Sequence, residues 1–182
     1  MRSEKGSTLV EFAMIITMMM MIVIGAFEWG FGFTDRLSVS QAVRESGRVG
    51  AAMGDYYVDS NNNADCAIIE AGAGALSAIG GKQVKELWIY ESDATGDTTG
   101  LKQRYRPSVL GDDPLLLACG AGWYRIENNW TPSLRDGQGA DRDWLGVRVI
   151  LDHTWKTNFL WWNGTVEWQE SVVFHIEPKV VN

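Results

Sequence analysis

Between Phe12 and Phe33 the chain reads FAMIITMMMMIVIGAFEWGFGF, 22 residues in which Glu28 is the only charged side chain. About 20 apolar residues in a helix cross the hydrocarbon of a bilayer. This run therefore limits the possible folds more than any other feature. It predicts one membrane-spanning helix, over roughly 9–33, with the rest of the chain on one side of it. Arg2 and Lys5 precede the run, and Asp35 and Arg36 follow it. The basic end is expected to stay in the cytoplasm, with the C-terminal part outside. Met18–Met21 read simply as apolar membrane residues, and Gly25, Gly30 and Gly32 as small residues that permit close helix contact. Glu28 is expected to reach water near the far interface, and no role is given to it.

A secretory signal peptide carries its small-residue cleavage site after the apolar core. Here no such site follows the run. The small residue, Gly6, precedes it. A cut after Gly6 would remove MRSEKG and leave Ser7 first and Glu11 fifth. That arrangement resembles the type IV pilin signal, a glycine, four residues and a glutamate at the head of an apolar helix. It also gives Glu11 a reason to exist. A lone carboxylate in hydrocarbon is costly and is rarely kept without a partner. Cleavage would create an α-ammonium on Ser7, and in a helical array that group of one subunit could meet Glu11 of the next. Such a pair would offset part of the desolvation cost and fix the axial register. The alternative is that Glu11 snorkels to the interface; Gly6, Lys5 and the apolar run together favour processing.

Beyond the run, TDRLSVSQAVRESGRVGAAM keeps a helical period, with Leu37, Val39, Ala42, Val43, Val49 and Met53 on one stripe and Arg44, Glu45 and Arg48 opposite. One helix is predicted from about Thr8 to Met53, with a possible bend at Thr34–Asp35 and Gly54 as its terminator. Asp65 is expected to N-cap a second helix over CAIIEAGAGALSAI, ended by Gly80 and Gly81. Strands are expected in KQVKELWIY, LKQRYR and Trp123–Ile126, with ESDATGDTTG and GDDP as turns and 127–143 as polar loop. WLGVRVILDH alternates Val147, Val149 and Leu151 on one face. TVEWQESVVFHIE alternates Val166, Trp168, Val172, Phe174 and Ile176. Asn163-Gly164 between them is a hairpin signal. The fold class is α+β: a long helix, membrane-spanning in its first half, laid on a twisted antiparallel sheet with one further helix. The parts are a leader at 1–6, the helix at 7–54 and an extracytoplasmic domain at 55–182.

The net charge is −7, without a basic run, so a nucleic-acid partner is not expected. In an extracytoplasmic domain the two cysteines, Cys66 and Cys119, are expected to form a disulfide; the other reading is two buried thiols. Asp59, Asn61, Asn63, Asp65 and Glu70 have the spacing of an EF-hand loop, but Ala64 stands where the sharp turn needs glycine. An Asn-rich loop with a helix cap accounts for the same residues. His153 and His175 have no ligand-spaced partner and read as strand residues. No P-loop or nucleophile-elbow motif occurs, so no catalytic residue and no cofactor is assigned. Trp161 and Trp162 read either as a contact surface or as core.

Nearly the whole chain resembles TadE-like pseudopilins of the Tad (tight adherence, type IVc) pilus machinery. STLVEFAMIITMMMMIVIGAFEWG and QAVRESGRVGAAMG carry the likeness most specifically. DWLGVRVILDHTW and VVFHIEP carry it more loosely, and Phe12 replaces the tyrosine of some Tad pilins. The resemblance implies a minor pilin cut by prepilin peptidase between Gly6 and Ser7 and held in the bacterial cytoplasmic membrane. Its implied partners are other pseudopilins, the major pilin and the inner-membrane assembly platform. An uncleaved single-span protein with an outer ligand- or calcium-binding domain is the alternative.

Overall fold

The structure is a computed structural model. It describes residues 5–59, 62–79, 83–108, 117–119, 122–138, 141–157 and 164–178. The leader residues 1–4, Asn61, Gly80, Gly81, GDDP at 111–114, Trp161, Trp162 and Asn163 lie outside the described residues.

Helix α1 runs without interruption over Lys5–Met53, through Thr34–Asp35. No proline breaks it. Thr17, Thr34 and Ser38 return their hydroxyls to the carbonyls of Ala13, Gly30 and Thr34. Those polar groups are thereby satisfied inside the helix, as an apolar environment requires. Gly54 follows the helix end for a different reason from the one expected. Its φ is not left-handed. A Cβ there would sit 2.9 Å from Leu145 Cδ1 and 3.2 Å from Ile176 Cδ1, so close packing demands the glycine.

Helix α2 spans Ala64–Ser77. Its N-cap is Asn63, not Asp65: the Asn63 side chain accepts from the N–H groups of Asp65 (3.0 Å) and Cys66 (3.2 Å). The cap thus lies two residues earlier than expected, and Asp65 is drawn inside the first turn.

The sheet comprises β1 Val84–Ser92, β2 Thr98–Pro107, β3 Leu117–Ala118, β4 Trp123–Asn128, β5 Trp144–Thr154 and β6 Thr165–His175. The order is β3-β4-β2-β1-β5-β6 and every pairing is antiparallel. The β1–β2 connection is tighter than the ten-residue loop expected. Asp93 Oδ1 accepts from the N–H groups of Thr95 and Asp97, which closes the turn and lets the strands extend into it.

Both helices cover one face of the sheet. Val39, Ala42 and Val43 of α1, Ile68 and Ile69 of α2, and Leu87, Ile89, Leu145, Val147, Val149 and Leu151 of the strands form a fully or almost fully buried core. The expected alternation of Val147, Val149 and Leu151 is the inner face of β5. Among the described residues no helix lies over the opposite face. There Trp88 is covered by cations, with Lys102 Nζ 4.7 Å and the Arg104 guanidinium 5.2 Å from its ring centre. Arg104 also grips Glu86, with its Nε 2.9 Å from Oε2 and Nη2 2.7 Å from Oε1.

Candidate functional site

Gly6, Ser7 and Glu11 all lie on the first turns of α1. From Thr8 to Val23 every residue is exposed, Leu9 to 70% and Ile22 to 66%. The segment Thr8–Met53 contains a stretch apolar and long enough to cross a membrane, and only 6% of that stretch is buried. A helix hydrophobic all round needs another apolar environment, lipid or neighbouring helices.

Burial on α1 begins at Gly25. It continues through Glu28, Gly32, Asp35, Val39 and Ala42, a stripe of three- and four-residue steps. The sheet therefore grips the helix about eight residues before the apolar run ends, roughly 12 Å along its axis. This overlap corrects the reading of Glu28. Its side chain is fully buried, not open to water. The carboxylate accepts from the backbone N–H of Lys156 at 3.2 Å and from that of Thr157, in the segment just after β5.

Two turns further on, Asp35 Oδ2 lies 3.0 Å from His153 Nδ1. His153 is fully buried and sits on the helix-facing side of β5. Its ring stacks on Trp168 of β6 at 4.4 Å, with an interplanar angle of 2°, and Trp155 meets it edge-on at 5.1 Å. Gln83, just before β1, stands between the same groups: with its amide nitrogen turned toward Asp35 Oδ2 (3.3 Å), its oxygen accepts from Lys156 Nζ (3.1 Å). Gly32 fits against this cluster because a Cβ there would lie 3.1 Å from the Trp168 ring. Gly32 thus serves contact with its own sheet rather than with another helix, whereas Gly30 has nothing within 4 Å. Arg36 closes the junction through Glu170 of β6 at 2.8 Å. The spacing Gly25, Glu28, Gly32, Asp35 was the sequence signal that could have exposed this interface.

At the other end of α1, Asp65 is nearly inaccessible and fully engaged. Its Oδ1 accepts from Arg135 and its Oδ2 from the Tyr105 hydroxyl at 2.7 Å. Arg135 also donates to the carbonyls of Gly54 (2.8 Å) and Trp130 (3.1 Å). Burial, and then the Asp65 charge, push the Tyr105 phenol far above its ordinary range, so it stays a donor. These bonds engage both Asp65 carboxylate oxygens. Asn63 Oδ1 is spent on the helix cap, Asp59 Oδ1 accepts from Asn62 N–H (2.9 Å), and Glu70 is exposed on α2. Among the described residues no three His, Cys, Asp or Glu side chains gather into a metal-sized group. Cys66 and Cys119 are bridged, with Cα atoms 4.8 Å apart; the bond ties the start of α2 to the residue after β3 at the sheet edge.

A long apolar helix docked by its second half on an antiparallel sheet defines a helix-anchored α+β protein. Its N-terminal segment is similar to one family: the model described as TadE-like protein matches residues 6–48, which lie entirely on α1. No curated protein and no solved structure matches the chain.

Proposed function

We propose that this chain is a minor pilin, or pseudopilin, of a Tad (type IVc) pilus, with a structural rather than a catalytic role. Prepilin peptidase cuts between Gly6 and Ser7. The product remains in the cytoplasmic membrane by its apolar helix, with the sheet outside, and joins or primes a filament used in adherence. Its partners are other pseudopilins, the major pilin and the inner-membrane assembly platform. One observation carries the reading. The TadE-like match begins at Gly6 and covers a helix whose first part is exposed and apolar on every side and whose second part bears a folded sheet.

The intact mass of the chain from a host with prepilin peptidase tests it. Loss of MRSEKG, leaving Ser7 first, is the expected result. A chain that keeps Met1 overturns processing and leaves an uncleaved single-span protein. Glu11→Ala is expected to spare insertion and cleavage but to reduce surface filaments at least tenfold, scored by electron microscopy of shed pili. Normal filament numbers in that variant would remove the Ser7–Glu11 pairing between subunits.

A further inference from the structure

A cavity of about 400 Å³ opens where α1 leaves the apolar run. Trp29 and Phe33 wall it from the helix, Trp155 and Trp168 from the sheet, and Arg36 stands at the same opening. Trp29 and Phe33 also belong to the apolar run, so on the membrane reading above the cavity lies at the outer lipid–water boundary. Tryptophan is favoured at that depth, where one ring edge is wet and the other is in hydrocarbon.

We propose that the cavity is a binding site for one phospholipid with a zwitterionic, amine-bearing headgroup. Its walls are continuous with the segment that contacts lipid, which selects a lipid over a soluble ligand. The charges select the headgroup. Arg36 is 69% exposed and has given its Nε–H to Glu170, one of a guanidinium's five donors. It is the natural partner of a lipid phosphate. Glu170, the ion-pair partner of Arg36, brings a carboxylate to the same opening. Glu28 lines the floor of the cavity, where it is fully buried and held by the Lys156 and Thr157 N–H groups. The Glu170 carboxylate and the indole faces suit an ammonium. A headgroup with negative charge alone would meet that carboxylate without offering it a cation.

The full chain, purified in detergent, is mixed with dioleoylphosphatidylethanolamine or dioleoylphosphatidylglycerol and examined by native mass spectrometry. Retention of one ethanolamine lipid, at least about fivefold over the glycerol lipid, is expected. Arg36→Gln is expected to weaken it about tenfold, in line with loss of one charge-assisted hydrogen bond. Arg48→Gln, an exposed arginine further along α1, is expected to leave it unchanged. Equal retention of both lipids, or no effect of Arg36→Gln, would overturn the site. Alkaline extraction of membranes from the expressing cells separates the two readings. A chain washed out by carbonate defeats the membrane reading and this one together. A chain that stays but holds no ethanolamine lipid defeats this one alone.

Discussion

At the scale of single residues, two polar groups carry more weight than their sequence neighbourhoods suggest. Arg135 sits in a stretch that reads as polar loop, yet its side chain is wholly buried and joins Asp65 to the end of α1. Removing one partner of a buried ion pair leaves the other charged and unpaired, at about 3–5 kcal/mol. Arg135→Ala is expected to lose an amount in that range, read from urea unfolding of the full chain in detergent. The second group is Glu86. Burial acts to raise its pKa, but hydrogen bonds from Arg104, Trp88 and Arg106 outweigh that and hold the carboxyl below its ordinary value of 4.5. A depressed carboxylate stabilises the fold fully above its unfolded pKa, and the contribution disappears as pH falls through the lower folded value. Stability measured from pH 6 downward is therefore expected to decline below about 4.5, the unfolded value, and Glu86→Gln should flatten that decline.

At the scale of elements, two glycines only two positions apart on α2 predict opposite outcomes. A Cβ on Gly72 would press on Ser46 Oγ and approach the Ala42 carbonyl of α1 at 3.3 Å. Gly72→Val is expected to destabilise by about 1–3 kcal/mol through overpacking. Gly74 has nothing within 4 Å, and Gly74→Ala should gain about 1 kcal/mol of helix propensity. Thermal unfolding of both variants decides. The helices and the last two strands were legible because their apolar periods of 3.6 and 2 are long and regular. The start of β2 was not, since Thr98–Gly100 offer no apolar alternation; register with β1 and the Asp93 turn extend the strand there. The Glu28 contact was hidden for another reason. A carboxylate inside an apolar run signals cost, and only the fold shows the two backbone N–H groups that offset it.

At the scale of the whole molecule, the Cys66–Cys119 bridge spans a separation of 53 residues and joins α2 to the sheet edge opposite β6. Closing a loop of that length restricts the unfolded chain by ~4 kcal/mol in the chain-entropy model. Reduction, or Cys66→Ser with Cys119→Ser, is expected to lower the unfolding midpoint while leaving insertion of α1 unaffected, checked by denaturation with and without reductant. The stacking of Gly32 near Trp168, Gly47 near Val172 and Phe174, and Gly54 near Ile176 shows that β6 travels beside α1 in the same direction. A tug on the exposed N-terminal end of the helix, along its axis, would consequently load those contacts in shear, all at once, rather than peel them one by one. A subunit hauled by its anchor would then yield abruptly at high force, a mechanical character suited to a part that is pulled.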